Sequence, residues 1–569
     1  MILVPNAVAS LGRFQPAVDA AFASMMRSRV PARLWEKDYT LWKPSPVEIT
    51  NRLGWLDSPR AMTGRLQQIN DLADNLRRDG FTHALLLGMG GSSLAPEVYR
   101  KTFGVSEGYL ELAILDSTDP AAVLAFSDQR HLSKTLFIVS TKSGGTVETF
   151  SFMKYFFNRV SERYGAEEAG RRFIAITDPG SALAELAAVH RFRETFLNDP
   201  EIGGRYSALT YFGLIPAALM GVDIKKLLDR AAGAADQEKC LEGSQPDSLS
   251  GLYLGASLGV LARAGWDKLT FAFSPRIASF GDWLEQLIAE STGKEGKGIL
   301  PVIGEPLGPA AVYSDDRVFV YVHLSDDRSA DEEIARLEKM GRPMIKIRLQ
   351  DVYDLGGQIF LWEAATAVAG HDLGINPFDQ PDVEASKVLA RRMLARYREK
   401  SVLPVEAPVL RGDGISVYGD ILAQSPGDAL NIFLRSSVPN GYFALQAYLQ
   451  PTAETDAALL RLRRCLRDQY HLATTAGYGP RFLHSTGQLH KGDGNRGLFI
   501  QLTADDPVDV PIPDEMGRPG SSVTFGVLKA AQALGDRQAL LNAGRLVIRF
   551  HLGDDIAGGL RILTEAITR

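Results

Sequence analysis

The sequence predicts an α/β protein whose parallel sheets carry helices on both faces, in a three-layer α/β/α arrangement. From about residue 83, short and nearly continuous apolar runs alternate with helix-like stretches, as strands buried on both faces require. The same alternation restarts near residue 268, which indicates a second doubly wound sheet. The chain has 569 residues, too many for one hydrophobic core, so we expect at least two domains.

Four apolar runs define the first predicted sheet, and they cover residues 83–89, 110–116, 135–141 and 173–178. The clearest helix between them covers residues 146–164. Right-handed crossovers make such strands parallel, and ligands bind at the carboxyl ends of strands in sheets of this kind. We therefore expect functional residues in the turns that follow these runs.

The second set of predicted strands covers residues 268–274, 318–324 and 343–349, with helices at 280–290, 331–340 and 357–369. A further region from about residue 402 offers strands at 414–420, 442–449, 497–503 and 546–552, again with helices between them. Periodicity leaves open whether this region completes the second sheet or stands alone.

Composition and charge exclude several classes of protein. The formal net charge is −6, from 62 Lys and Arg against 68 Asp and Glu, so we expect no nucleic-acid partner. Two cysteines, Cys240 and Cys465, cannot form a disulfide framework, which indicates a reducing compartment. Residues 1–6 lack the basic region of a signal peptide, and the longest apolar segments fall short of the roughly 20 residues that span a bilayer. We therefore expect a cytoplasmic protein with no membrane contact.

A glycine-rich turn, GMGGSSL at residues 88–94, follows the first predicted strand. Glycines let the backbone approach a ligand closely, and the free amides at the start of a helix attract an anion. Ser93 stands where the last glycine of the dinucleotide motif would be, so the turn is not a dinucleotide fingerprint. Such a turn is either an anion site or a purely structural feature.

The third predicted strand runs into STKSGGTVET at residues 140–149. Hydroxyl groups, one ammonium group and two flexible glycines ahead of a helix are what a phosphate monoester needs. The order of a nucleotide P-loop is missing, so a single sugar phosphate suits this turn better than ATP. Because two such turns lie on adjacent crossovers, we predict a phosphate site; the alternative is a capped helix start.

Glu290 lies in the helix predicted at residues 280–290, where it shares one edge with Gln286 beside the apolar stripe. A carboxylate just before a glycine stop faces the unfavourable end of the helix dipole, which favours uptake of a proton, as a general base needs. The spacing alone also fits a solvated surface glutamate.

Three other segments have unusual composition, and each alone is typical of a turn or a cap. GGRYS places Arg205 on a flexible turn, and NPFDQP at residues 376–381 enters a helix that carries Lys387. HSTGQLHKG brings two of the nine histidines, His484 and His490, into one glycine-rich loop. No two histidines have metal-ligand spacing with a carboxylate nearby, so we predict no metal site.

Taken as a set, the motifs resemble the phosphoglucose isomerase family, which is built from two sugar isomerase (SIS) domains. They are GMGGSSLAP, STKSGGTVET, IGGRYS, AESTGK, NPFDQPDVEASK and LHSTGQLHKG. The chain looks most like the isomerase half of bifunctional transaldolase/phosphoglucose isomerase proteins. The resemblance implies two SIS-type doubly wound parallel-sheet domains, at 46–235 and 236–400. An N-terminal arm would cover 1–45, and residues 401–569 would complete the second sheet.

The resemblance also implies roles for individual residues. Glu290 matches the base that moves a proton between C2 and C1, with Gln286 beside the substrate. Arg205 matches the arginine that stabilises the enediolate, and Lys387 matches the lysine that assists ring opening together with a histidine. The substrate phosphate would be held by Gly91, Ser92, Thr141, Lys142, Ser143 and Thr146. Position 141 is Ser in most members of the family, and Thr keeps the hydroxyl.

The order of the histidine loop departs from the family pattern. In most members this loop lies between the base glutamate and the NPFDQ-type segment, whereas here it follows that segment by about a hundred residues. His484 matches the bacterial His-Ser-x-Gly-Gln motif better and is our preferred ring-opening residue. His490 is the alternative.

The resemblance implies glucose-6-phosphate isomerase activity, an intramolecular oxidoreduction in glycolysis and gluconeogenesis. Glucose 6-phosphate and fructose 6-phosphate would interconvert through a cis-enediol, with no cofactor and no metal. In this family the site lies between the SIS domains and takes its histidine from a second subunit, so a homodimer is implied. The alternatives are a dual phosphoglucose/phosphomannose isomerase and a non-catalytic SIS-type sugar-phosphate sensor, which would have no use for Glu290.

Overall fold

The computed structural model describes residues 7–127, 132–241 and 250–568. In these ranges the strands form three large sheets and one two-stranded ribbon. Residues 1–6, on which the expectation about a signal peptide rests, lie outside them. Within the same ranges, no helix is both long enough and apolar enough to cross a bilayer.

The strands, numbered in chain order, are β1 (Ala7–Ser10), β2 (His83–Gly88), β3 (Glu111–Leu115), β4 (Thr135–Ser140), β5 (Phe173–Thr177), β6 (Glu194–Leu197), β7 (Lys268–Phe273), β8 (Leu300–Val302), β9 (Arg317–Leu324), β10 (Met344–Leu349), β11 (Leu410–Gly412), β12 (Ile415–Tyr418), β13 (Tyr442–Tyr448), β14 (Ala473–Tyr478), β15 (Gly497–Thr503), β16 (Pro511–Ile512), β17 (Val523–Thr524) and β18 (Leu546–His551).

The α-helices, numbered likewise, are α1 (Gln15–Arg27), α2 (Val30–Trp35), α3 (Ser58–Thr63), α4 (Leu66–Arg78), α5 (Leu94–Phe103), α6 (Pro120–Ala125), α7 (Val147–Tyr164), α8 (Ala166–Gly170), α9 (Ala182–Val189), α10 (Tyr211–Leu219), α11 (Ile224–Lys239), α12 (Gly251–Arg263), α13 (Phe280–Thr292), α14 (Asp331–Lys339), α15 (Leu355–Leu373), α16 (Val383–Lys400), α17 (Pro426–Leu434), α18 (Ala453–Tyr470), α19 (Gly487–Gly492), α20 (Phe525–Asn542) and α21 (Ile556–Thr568).

The first sheet has five parallel strands in the order β3-β2-β4-β5-β6. Every residue of β4 and β5 is buried, which explains their continuous apolar runs. The four strands predicted from these runs are confirmed, whereas the short, half-buried β6 gives no such signal. Because β3 and β4 lie on opposite sides of β2, the turns after β2 and β4 meet at the switch point of the sheet.

The second sheet has the order β1-β10-β9-β7-β8 and contains the three predicted strands in parallel. The N-terminal arm adds β1, which pairs with β10 in the antiparallel direction. Trp42, further along the arm, donates its indole N–H to the carbonyl of Ala367 in α15 at 2.8 Å. The arm is therefore packed onto the second sheet and its helices.

The C-terminal region forms a third sheet, in the order β11-β12-β18-β15-β13-β14. Strands β13, β14, β15 and β18 are parallel, and the β11–β12 hairpin adds an antiparallel edge. The expectation that residues 401–569 complete the second sheet is therefore wrong, since these strands pair among themselves within the described ranges. The third sheet also buries an apolar core of its own, which includes Leu445, Ile500 and Ile548.

The C-terminal region contacts both preceding sheets. Arg463 of α18 donates to the carbonyl of Ile303 beside β8 at 2.6 Å, and the hydroxyl of Thr474 donates to Glu305 at 2.6 Å. On its other side, Lys529 of α20 forms an ion pair with Asp119 at 2.8 Å. These contacts place the loop after β14, which carries His484, beside the carboxyl edge of the first sheet.

Candidate active site

The turn between β4 and α7 keeps its hydroxyl groups close together. Thr141 and Thr146 lie with their side-chain oxygens 2.9 Å apart, and Thr146 immediately precedes the first residue of α7. Gly144 has a φ of +61°, and a Cβ atom there would come within 2.6 Å of the Ser181 side chain. The turn therefore presents hydroxyls at a helix N-terminus, as phosphate binding requires.

Lys142 of the same turn points to an acidic partner. Its ammonium group donates to a carboxylate oxygen of Asp178 and, at 3.0 Å, to the carbonyl of Pro200. Burial raises the pKa of Asp178, and the ammonium of Lys142 opposes that shift. A phosphate on this turn would have to compete with Asp178 for the ammonium group.

The glycine-rich turn after β2 contacts three other parts of the site. A Cβ atom on Gly91 would lie 2.0 Å from the carbonyl oxygen of Gly204, so only glycine fits against the Arg205 turn. Gly90 has a φ of +55°, and a Cβ atom on it would meet both Gln286 and His484 at 3.0 Å. Ser92 is buried in the same turn, and its carbonyl accepts a hydrogen bond from Ser140. This turn therefore joins the loop of Arg205, helix α13 and the histidine loop.

Glu290 lies in the last turn of α13, with its side chain 12% exposed. One carboxylate oxygen lies 3.6 Å from Nη1 of Arg205 and accepts a hydrogen bond from Nε2 of Gln286 at 3.1 Å. The same Gln286 nitrogen lies 2.7 Å from the carbonyl of His484. Glu290 is thus an enclosed carboxylate beside a cation, unlike a solvated surface glutamate.

Arg205 is held by several acceptors. Its side chain is 3% exposed. Its Nε donates to Ser291 at 2.8 Å, and its Nη1 donates to the side chain of Gln380 at 3.0 Å. Its Nη2 donates to the carbonyls of Pro377 and Asp379 at 2.7 and 3.0 Å. The NPFDQP segment therefore orients the guanidinium group next to Glu290.

His484 joins this group to the phosphate turn. Its Nε2 lies 3.1 Å from a carboxylate oxygen of Glu148, in the first turn of α7. Nε2 of Gln532 donates to the same oxygen at 2.7 Å. Burial alone would raise the pKa of Glu148, but the charge and hydrogen bond of His484, with Lys387 farther away, outweigh it and hold that pKa below its ordinary value.

A cavity of about 600 Å³ lies between the phosphate turn and the histidine loop. Its wall includes Ser143, Thr146, Glu148, Lys387 and His484. The Lys387 side chain is 38% exposed, and its ammonium lies 3.7 Å from Glu384. The predicted residues therefore gather in two groups that share His484, one around Glu290 and one around the phosphate turn.

Comparison with known proteins points to the same chemistry. Residues 71–298 match the family model described as phosphoglucose isomerase. Glucose-6-phosphate isomerase of Staphylococcus saprophyticus is 28% identical over 384 residues, which cover 59% of this chain and 85% of that protein. The enzyme of the same name from Pediococcus pentosaceus is 28% identical over 412 residues, 61% of this chain and 88% of its own. These matches support a relationship of the chain to the phosphoglucose isomerase family.

Solved structures show the corresponding fold. A glucose-6-phosphate isomerase from Chlamydia trachomatis has a TM-score of 0.56 at 20% identity, and it covers 67% of this chain and 86% of that chain. A hypothetical protein from Thermus thermophilus has a TM-score of 0.57 at 24% identity, and it covers 68% of this chain and 100% of its own. The closer likeness to transaldolase-fused members of the phosphoglucose isomerase family stays a prediction.

The structure differs from the family pattern in the origin of the histidine. The resemblance implies that this residue comes from a second subunit, but here His484 reaches Glu148 and Gln286 of its own chain. The loop follows β14 of the third sheet, and that sheet packs against the first two, which brings His484 to the site of its own chain. A single chain therefore places His484 beside both groups of predicted residues, the one around Glu290 and the one around the phosphate turn.

His490, the alternative ring-opening residue, lies elsewhere. It is 2% exposed, its ring centroid is 5.0 Å from that of Phe499, and its Nδ1 faces Gln446 at 3.4 Å. Burial, with the charges of Lys491 and Arg545 nearby, lowers the pKa of His490 well below its ordinary value. The geometry favours His484 at the site.

Sequence reasoning misses several residues that hold the site together. Glu148 stands within the phosphate motif without a predicted role, and Gln380, Ser291 and Gln532 are not among the predicted site residues. An acidic residue in the first turn of a helix is ordinarily explained by the helix dipole, so Glu148 gives no distinct signal. Gln532 lies 384 residues from Glu148, and no local pattern reports so distant a contact.

Proposed function

We propose that this protein is a glucose-6-phosphate isomerase, which interconverts glucose 6-phosphate and fructose 6-phosphate. The observation that carries the proposal is the enclosed carboxylate of Glu290, which lies 3.6 Å from the guanidinium of Arg205 and accepts a hydrogen bond from Gln286, a neighbour of Gly90 in the turn after β2. Aldose–ketose isomerisation needs a base for one carbon-bound proton and a cation for the oxyanion that forms. This pair supplies both.

The proposed reaction has three stages. The turn that includes Thr141, Ser143 and Thr146 anchors the phosphate through hydroxyls and the amides at the start of α7, which positions the sugar for reaction. His484 and Lys387 then open the ring, with a proton passing to the ring oxygen while the anomeric hydroxyl loses one. The carboxylate of Glu148 stabilises positive charge on His484 during this step.

Proton transfer follows in the open-chain sugar. The carboxylate of Glu290 takes the proton from C2 of the aldose, and the C–H electron pair forms the C1–C2 double bond of an enediolate. Arg205 stabilises the resulting oxyanion, with Gln286 hydrogen-bonded to the base. The hydroxyl proton on O2 passes to O1, Glu290 returns the carbon-bound proton to C1, and C2 becomes the carbonyl carbon of the ketose. The reverse path uses the same groups, and no electron acceptor is consumed.

Two alternatives remain distinguishable by experiment. A relaxed enzyme would also accept mannose 6-phosphate, the C2 epimer, because both epimers give the same enediol. A sugar-phosphate sensor would bind without turnover. The sensor needs the phosphate turn only, so the pairing of Glu290 with Arg205 favours an enzyme.

We further propose a cytoplasmic homodimer, on the strength of the family resemblance, with domains at 46–235 and 236–400 and a third at 401–569. Because His484 comes from the same chain as Glu290, catalysis would not require the second subunit. Specific activity should then stay constant on dilution through the dimer–monomer transition, as followed by light scattering. A fall in specific activity that tracks dissociation would contradict independent sites.

The proposed function is tested by a coupled assay. Fructose 6-phosphate is the substrate, and glucose 6-phosphate is detected through its NADP⁺-dependent dehydrogenase. We expect saturable turnover that needs no added metal, and a parallel assay with mannose 6-phosphate reports the relaxed alternative. Absence of turnover in folded protein that still binds the sugar phosphate would favour the sensor.

A further inference from the structure

The carboxyl edge of the third sheet has the topology of a ligand site. Strand β13 pairs with β14 on one side and with β15 on the other, so the order in which successive strands are added to the sheet reverses at β13. Ligands in open parallel sheets bind at such switch points, beyond the carboxyl ends of the strands. Of the proposed catalytic residues, only His484 comes from this edge, in the loop after β14, and the residues at the ends of β13, β15 and β18 have no assigned role.

A cavity of about 280 Å³ lies at this edge. Tyr448, Thr503 and His551 end β13, β15 and β18, and all three line it. Helix α20 separates this cavity from the catalytic one, because Ala530 and Leu534 line the former, whereas Leu528 and Gln532, on another side of the helix, line the latter. The two cavities are therefore distinct.

One end of the cavity carries an excess of positive charge. Arg549 is 7% exposed, and its guanidinium carbon lies 3.9 Å from the ring centroid of Tyr418. Its Nη2 lies 3.4 Å from a carboxylate oxygen of Glu406, which is a long hydrogen bond. Its Nε has no hydrogen-bond partner among the described residues. Arg537 also donates to Glu406, at 2.8 Å. Two guanidinium groups thus share one carboxylate, and a bound anion would complete the pairing.

The other end carries hydrogen-bonding groups and an excess of acceptors. Lys529 lies between the carboxylates of Asp119 and Asp506, so one ammonium group serves two acids. The hydroxyl of Tyr448 is buried with no hydrogen-bond partner among the described residues. Thr503 places its hydroxyl 3.1 Å from Nδ1 of His551. A buried polar atom without a partner is expected to gain one from a bound molecule.

We propose that this cavity binds a small hydroxylated anion, with its carboxylate or phosphate head on Arg549 and its hydroxyls toward Asp506 and Thr503. A volume of about 280 Å³ suits a molecule of roughly three or four carbons, below the size of drug-like ligands. The proposal is independent of the isomerase activity, because it uses none of the catalytic residues.

Isothermal titration calorimetry on the full chain tests the proposal, with D-glycerate and glycerol 3-phosphate as probes and glycerol as the neutral control. The titrations use Lys142→Ala protein, in which the catalytic turn binds the phosphate probe more weakly. We expect one saturable site for at least one anion and none for glycerol. The preferred probe identifies the head group as carboxylate or phosphate.

Variants then locate the binding. Arg549→Gln should weaken it by about 10- to 100-fold, the range expected for the loss of a charged hydrogen-bonding partner. Tyr448→Phe removes one oxygen and should weaken binding by about fivefold, which keeps the test decisive if Arg549→Gln fails to fold. Arg561→Gln removes an equal charge from an exposed position on α21 and should change nothing. Absence of saturable binding, or binding unaffected by both cavity variants, would overturn the proposal.

Discussion

Replacing Glu148 with Gln tests whether this carboxylate supports ring opening through His484. Nε2 of His484 lies 3.1 Å from a carboxylate oxygen of Glu148. At an effective dielectric constant of about 20, unit charges at that distance attract by about 5 kcal/mol. Gln keeps a hydrogen-bond acceptor and removes a buried charge. We therefore expect the transition state for ring opening to lose about 2–3 kcal/mol of this electrostatic stabilisation. That loss corresponds to about a 30- to 160-fold fall in kcat.

Two assays on the same protein separate ring opening from proton transfer. The coupled assay follows isomerisation, and exchange NMR follows the interconversion of the glucose 6-phosphate anomers, which needs ring opening alone. Glu148→Gln should slow both in parallel, with KM changed by less than about twofold. Glu238→Gln makes the same change at a buried glutamate in α11 that accepts the backbone N–H of Gly251, and it should leave both rates unchanged. Normal anomer exchange with slowed isomerisation would refute the assigned role.

Three further predictions concern the phosphate turn, the two histidines and a buried acid. Lys142→Ala should raise KM by about tenfold with kcat largely kept, and an unchanged KM would count against the phosphate turn. His484→Ala should lower turnover by about a hundredfold, whereas His490→Ala should lower the unfolding temperature instead. If His490→Ala lowers turnover more than His484→Ala, the choice of His484 is overturned. Burial raises the pKa of Glu285 to about 7 from its ordinary 4.5, with Asp282 adding to the shift, so the folded state holds a proton that the unfolded chain releases. Wild-type stability should therefore fall by about 3 kcal/mol as the pH rises through this interval, and Glu285→Gln should remove that part of the decline. Urea unfolding at the pH of the ordinary pKa and at that of the raised pKa measures the free energy of unfolding of both proteins. An equal decline with pH in the wild type and in Glu285→Gln would refute the raised pKa.

The parts of the fold that the sequence predicts are those with strong local periodicity. Strands β2, β4 and β5 are buried on both faces and read as continuous apolar runs. Strand β14, with the sequence ATTAGY, consists of small and polar residues and ends half-buried, so no apolar run marks it. The apolar pattern of β13 is equally clear, but a pattern within one strand does not identify its neighbours. Sequence reasoning therefore places these strands in the second sheet, whereas they pair among themselves.

The same limit applies to the site. Arg205, Glu290 and Lys387 stand in motifs that a sequence displays locally, and their candidate roles follow from the family resemblance. The contact of Glu148 with His484 joins residues 336 positions apart, and only the packing of the third sheet creates it. The position of His484 within its own chain likewise depends on tertiary contacts, because the permuted order alone does not show which chain supplies the loop.

Isomerisation of fructose 6-phosphate in deuterated water tests the central claim most directly. If Glu290 moves a proton between C1 and C2 through an enediol, glucose 6-phosphate formed by the wild type should carry solvent deuterium at C2, because a carboxyl proton can exchange during the intermediate. Glu290→Gln should bind the sugar phosphate with similar affinity and turn over at least about a thousandfold more slowly. Product without deuterium, or near-normal turnover by Glu290→Gln, would contradict the account.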